Sequence, residues 1–164
     1  MRLTTVLLVR HGEKPDDPND PDLGPRGYIR AGALSYLFND ATNDGIHPAL
    51  SALFATKPSK ASRRPLETLQ PLAALLPQLP FDANYKVGEE PALAAAIQAG
   101  SAAVVLIAWH HEAMTVLATA LGVAAAPPWP GPDVFDRLWR VDMTKVPPTL
   151  VDLPQRLLFG DSAS

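Results

Sequence analysis

The sequence predicts a three-layer α/β/α domain with a central, mainly parallel sheet. Two apolar runs carry that reading, Val6-Leu7-Leu8-Val9 and Ala103-Val104-Val105-Leu106-Ile107-Ala108-Trp109, because neither alternates with polar residues. Strands that read as unbroken apolar stretches are buried on both faces, as in parallel sheets covered by helices. The third observation is that strand-like and helix-like segments alternate through most of the chain, the pattern of βαβ units. With 164 residues and 47% hydrophobic content, the chain can bury one real core and is short for two, so residues 1–164 are read as a single domain.

Each element has its own local reason. A strand occupies the stretch from Thr5 to Val9 and stops at Arg10-His11-Gly12. The segment from Lys14 to Asp22 is broken by Pro15, Pro18 and Pro21 and reads as a solvated loop; it lacks the regular alternation and closing Glu of a calcium loop. A helix starts near Pro25, a residue suited to a first helical turn, and runs to about Phe38. Arg26 and Arg30 lie one turn apart on it and are read as surface charges. Leu50 to Ala55 is a second short strand, and Pro65 opens a helix to about Leu76, with Leu66, Leu69, Leu72 and Ala73 on one stripe. A weak strand is expected around Leu79 to Tyr85, then an Ala-rich helix over Ala92 to Ala99. The strand from Ala103 to Trp109 ends at His110-His111-Glu112, and a helix over Ala113 to Leu121 is stopped by Gly122. The alternating segment Val134 to Val141 and a last, polar-edged strand over Thr149 to Phe159 finish the sheet, with Asp136 and Trp139 packing structurally.

Composition excludes several function classes. A formal net charge of −3 offers no general attraction to nucleic acid or to an anionic membrane. The absence of Cys removes disulfides, thiolate metal sites and a cysteine nucleophile. No stretch approaches the ~20 apolar residues of a membrane helix, and no apolar segment is long enough for a signal peptide, so a soluble cytoplasmic protein is expected. There is no Gly-x4-Gly-Lys segment for a P-loop and no His-Glu-x-x-His pair for zinc. The 18 prolines concentrate in loops, where they stiffen connections.

Arg10, His11 and Gly12 follow the end of a buried strand, where open α/β sheets place their ligands. A guanidinium fork, a permissive glycine and an imidazole together suit a small anion. A second basic group, Lys57, Lys60, Arg63 and Arg64, precedes the helix that opens at Pro65, and a helix start attracts anions.

Arg10-His11-Gly12 after an N-terminal apolar strand resembles the signature of the histidine phosphatase superfamily, the phosphoglycerate-mutase-like fold. The spacing of Leu23, Gly27, Ala31 and Leu34 is similar to that family's first helix. Arg64 with Thr68 four residues on resembles its second arginine step, which leaves Arg63 as a rim charge. The apolar strand before His110-His111 resembles its second histidine step. Counting along that strand without a gap selects His110; the Trp-x-His step of some members selects His111, and the reading leans to His111.

What the resemblance implies is metal-independent hydrolysis of a phosphate monoester or phosphoprotein, with His11 phosphorylated transiently and no cofactor. Arg10, Gly12 and Arg64 would bind the phosphate, the second histidine would add a donor, and Glu112 is a possible general acid. Glu89 and Glu90 are minor candidates for that proton donor, because an acid serves so in mutase-like members. Mutases usually carry longer insertions than this chain holds, so hydrolysis is preferred to mutase-type phosphotransfer. A non-catalytic module binding phosphorylated ligands is the other reading. The sequence names neither the substrate nor the oligomeric state.

Overall fold

A computed structural model of the chain describes residues 2–38 and 47–164. Its core is a six-stranded sheet built from β1 (Thr5–Arg10), β2 (Ala52–Ala55), β3 (Phe81–Asp82), β4 (Val104–Trp109), β5 (Arg137–Asp142) and β6 (Thr149–Pro154), in the order β3-β2-β4-β1-β5-β6. The pairs β1–β4, β2–β4 and β2–β3 are parallel, whereas β1–β5 and β5–β6 are antiparallel. β5 alone therefore runs against the others, and the sheet is mainly parallel, as the apolar runs predict.

Helices α1 (Pro25–Leu37), α2 (Arg64–Leu75), α3 (Glu90–Ala99) and α4 (Met114–Ala120) cover the sheet. The side chains of β1 show why its sequence does not alternate. Val6 and Leu8 point into a core shared with Leu93, Ile97, Met114 and Leu117 of α3 and α4. Leu7 and Val9 point into a second core with Leu34 of α1 and Leu69 and Leu72 of α2. Successive side chains leave a strand on opposite faces, so a layer on each side demands apolar residues at every position. β4 obeys the same rule, with Val105, Ile107 and Trp109 on one face and Val104, Leu106 and Ala108 on the other. Trp139 is fully buried and tilted against Trp129, ring centroids 5.1 Å apart.

Several elements are shorter than the pattern implies. β3 keeps two residues, because Pro77 and Pro80 restrict the approach to it. After Trp109 the chain stays extended at His110 and makes a 3₁₀ turn over His111–Ala113 before α4 begins. α4 ends ahead of Gly122, whose φ of +102° closes it in the left-handed region. The final strand stops at Pro154 rather than continuing towards Phe159. α3 starts earlier, at Glu90. Among the described residues no helix is long and apolar enough to cross a membrane.

The reading of Arg30 as a surface charge is corrected by the structure. Its side chain is 2% exposed and donates to both carboxylate oxygens of Glu13, to both of Asp161 and to Gln155 Oε1. Arg26 keeps an exposed side chain but also reaches Glu13 Oε1 at 3.2 Å and the Phe159 carbonyl at 2.7 Å. A buried guanidinium is tolerated because two carboxylates and an amide satisfy it. α1 is thus pinned both to the loop after β1 and to the C-terminal tail. In the loop before α1, Asp17 and Asp20 accept from the N–H groups two residues on, and Asp22 pairs with Arg63.

The loop after β1 lies against the first turn of α1 with no side chain between them. A Cβ on Gly27 would stand 2.4 Å from the Glu13 carbonyl oxygen and 2.8 Å from the Glu13 nitrogen. Gly27→Ala should therefore destabilise the fold by about 1–3 kcal/mol, because backbone on both sides must move. Gly32, in the middle of the same helix, has nothing within 4 Å of its Cβ position. Gly32→Ala should instead stabilise by about 0.5–1 kcal/mol through helix propensity and reduced freedom of the unfolded chain. Urea midpoints of the two variants should move in opposite directions, and equal shifts would refute the close packing at Gly27.

Candidate active site

Parallel pairing of β1 with β4 sets Arg10 opposite Trp109, and the His11 N–H continues the ladder to the Trp109 carbonyl at 3.1 Å. The next residue on each strand is a histidine. His11 and His110 consequently meet edge to face, with ring centroids 5.3 Å apart. His11 is 1% exposed. Its Nδ1 lies 2.7 Å from the Gly12 carbonyl oxygen, an acceptor only, so Nδ1 carries the proton and Nε2 keeps its lone pair. Burial pushes this imidazole down to about 2, and His110, Arg10 and Arg64 add to the shift while the bond to Gly12 opposes it.

Arg10 is also 1% exposed, and among the described residues no carboxylate bonds it. Its Nη1 donates to the carbonyls of Pro132, at 2.5 Å, and Val134, at 3.0 Å. The guanidinium carbon sits 3.8 Å from the centroid of the Phe135 ring, a cation–π contact. Trp129 anchors this proline-rich loop by donating its Nε1–H to the Val134 carbonyl. Burial lowers Arg10 to about 10, with Glu112, Asp133 and Glu13 opposing the shift, so it remains a cation at neutral pH. Arg64, the first residue of α2, is 9% exposed and donates from Nη1 to the Asp20 carbonyl at 2.9 Å. The Nε atoms of Arg10 and Arg64 are both buried without a hydrogen-bond partner. Each of these two buried guanidinium groups thus keeps a donor to spare.

Glu112 stands at the rim with its side chain more than half exposed, 3.9 Å from His110 Nδ1 and 3.0 Å from His111 Nδ1. The latter pair lacks the alignment of a hydrogen bond. Burial works to raise the Glu112 carboxyl, yet its own backbone N–H and the two imidazoles hold it below its ordinary value. Burial lowers both His110 and His111, with Glu112 opposing. Among the described residues no three His, Asp or Glu side chains gather where they would hold a metal ion.

Solved structures share this architecture. The protein histidine phosphatase SixA complexed with tungstate is 18% identical at a TM-score of 0.62, over 92% of this chain and 97% of that one. The fold is that of the histidine phosphatases. Phosphoglycerate mutase from Plasmodium falciparum matches at 14% identity and a TM-score of 0.60, over 100% of this chain and 99% of that one. The alpha-ribazole phosphatase from Shigella flexneri matches at 16% identity and a TM-score of 0.58, over 94% and 98%. The sequence matches no family model and no curated protein.

Within this histidine-phosphatase fold, Arg10, His11, Gly12, Arg64 and His110 converge, with His111 and Glu112 beside them. The sequence reading leans to His111, whereas it is His110 whose ring packs on His11, with His111 beside Glu112. The strand runs to Trp109 without a bulge, so the ungapped count is the physical one. Glu89 and Glu90 are engaged elsewhere. Glu89 accepts from the Lys86 N–H, and the buried Glu90 accepts from the Gly88 N–H and from Trp109 Nε1 at 3.0 Å. Sequence reasoning missed Phe135 altogether; an aromatic among Pro, Gly and Asp was its single signal.

The buried neutral histidines carry a consequence for stability. In the unfolded chain a histidine titrates near 6.5. Folded His11 takes its proton only at about 2, so below about pH 6.5 the unfolded state binds more protons and stability falls as pH falls. His110 and His111 act in the same direction. Asp161, where Arg30 and two backbone N–H groups outweigh burial and hold the carboxyl at about 2, adds a loss confined to the range below ~4. Urea midpoints should drop steadily from pH 7 to pH 4.5, and His11→Gln should remove part of that slope. A parent midpoint constant over this range would contradict neutral burial of His11.

Proposed function

We propose that the protein is a phosphohydrolase acting on a phosphate monoester or a phosphoprotein through a phosphohistidine at His11. The observation that carries the reading is the state of that ring. Its Nδ1–H is committed to the Gly12 carbonyl, which leaves Nε2 unprotonated beside two buried guanidinium groups. The fold supports it, since the similar structures include a protein histidine phosphatase holding tungstate, itself a tetrahedral oxyanion.

In the first step the Nε2 lone pair attacks phosphorus and the bond from phosphorus to the leaving oxygen breaks; that oxygen takes a proton from solvent. Arg10 and Arg64 neutralise the equatorial oxygens, on which charge is spread in the transition state. His110, edge-on to His11, supplies a further donor. In the second step water attacks phosphorus, the N–P bond breaks, and His11 regains its lone pair as inorganic phosphate leaves. Glu112, ionised at neutral pH, suits the role of base for that water better than the role of resting acid expected from the sequence. Mutase-type transfer differs only in the acceptor of the second step. Chain length does not separate the two, because the alignment spans 99% of a phosphoglycerate mutase.

Rapid quenching with a ³²P-labelled ester should trap an acid-labile, base-stable label on the peptide containing His11, decaying to free phosphate. His11→Ala should abolish turnover and leave binding of the ester largely intact. Arg64→Ala should lower kcat/KM by about a hundredfold or more, through loss of a charge-assisted contact in a dry pocket. Label on another residue would sink the mechanism; label passed to an organic acceptor in preference to water would make the protein a transferase.

A further inference from the structure

Thr68 is 1% exposed on α2, far from the surface and without contact to any reacting atom. Its hydroxyl oxygen accepts the Gly12 N–H at 2.9 Å, and its own proton goes to the Arg64 carbonyl at 2.7 Å. A hydroxyl has a single proton to give, so the direction of this relay is fixed: Gly12 N–H to Thr68, Thr68 O–H to Arg64. The next group along is the Gly12 carbonyl, which takes the His11 Nδ1–H at 2.7 Å. Gly12 has no side chain to limit its torsions. What limits them is the anchor at its nitrogen and the backbone of Gly27, whose oxygen would lie 2.9 Å from a Cβ at this position.

We propose that Thr68 is a positioning residue that sets the tautomer of His11 by fixing the Gly12 backbone, and that the same hydroxyl holds the nucleophile loop in register with Arg64. The inference rests on the reading of His11 as nucleophile. With the Gly12 carbonyl in place, the ring proton belongs on Nδ1 and the lone pair on Nε2. Were the glycine to turn its carbonyl away, Nδ1 would lose its acceptor, the proton would be free to sit on Nε2, and the nitrogen aimed at phosphorus would have nothing to attack with. A hydrogen bond that selects a tautomer acts on kcat, because binding of the phosphate by the arginines does not depend on it.

The test uses Thr68→Val, which keeps the shape and removes both bonds, and Thr68→Ser, which keeps the hydroxyl. Nitrogen-15 spectra of the imidazoles report the tautomer with no substrate present. In the parent, His11 should show a protonated Nδ1 and a bare Nε2. In T68V that pattern should be lost, with kcat down about tenfold or more and KM for the ester changed by less than about threefold; T68S should return both to within about threefold of the parent.

A parent His11 protonated on Nε2 overturns the proposal at once. So does a T68V enzyme that keeps the parent tautomer, whether its activity stays or falls. If T68V does not fold, Thr68→Ala replaces it; failure of both to fold, with T68S sound, would make the threonine a purely structural residue and end the proposal. Because the spectra need no turnover, they answer even if no phosphohistidine forms, and that outcome would count against the hydrolase reading alone.

Discussion

The pairing of the first strand with the fourth is the constraint on which the site depends. Ladder bonds between β1 and β4 are parallel and continuous from Thr5–Val104 to Arg10–Trp109. Because the register is even, the residues just beyond it are neighbours, and these are His11 and His110. A slip of one residue would turn every side chain of one strand to the other face, exchanging residues between two close-packed cores whose shapes they do not fit. Two covered faces thus lock the register, and the register fixes the spacing of the imidazoles. The placement of the two imidazoles is here a by-product of hydrophobic burial on either side of the sheet.

Charge burial is handled in two ways in this small domain. Arg30 is closed off by Glu13, Asp161 and Gln155, and nothing remains for it to bind. Arg10 and Arg64 have only carbonyl oxygens as hydrogen-bond acceptors, which orient a guanidinium without cancelling its charge. Carboxylates lie near both cations without bonding them, Glu112 and Asp133 around Arg10 and Asp20 and Glu67 around Arg64. The difference separates a structural arginine from a receptive one, and it follows from the partner on each side chain rather than from burial, which all three share.

Much of this was legible in the sequence, for a physical reason. Double-sided burial forces continuous apolar runs, so β1 and β4 announce themselves, and the polar residues that interrupt them mark the ends where a ligand can sit. The basic group that contains Arg64 was legible from its place at a helix start, and the resemblance of its spacing to Thr68 picked out Arg64. The choice between His110 and His111 was harder, because it depends on register across a gap of about a hundred residues, and Trp109 disguised the strand end by standing where a small residue is usual. That tryptophan is accommodated through Glu90, which takes its indole N–H in the interior. Arg30 and Phe135 were not legible, since what defines them are partners remote in sequence: Asp161 for the one and Arg10 for the other. Local periodicity carries no information about such pairs.

The arrangement of strands has a consequence for how the molecule is made. β1 lies far ahead in sequence of both of its sheet neighbours, β4 at Val104–Trp109 and β5 at Arg137–Asp142. Glu13 in turn waits for Asp161 to complete the ion cluster around Arg30. During synthesis the strand that ends beside His11 has neither of its sheet partners until β4 has been made. Until then it is an unpaired apolar strand, which is an aggregation hazard. Long-range closure of this kind also costs loop entropy before any contact offsets it. The surroundings of His11 therefore rest on contacts between segments remote in sequence.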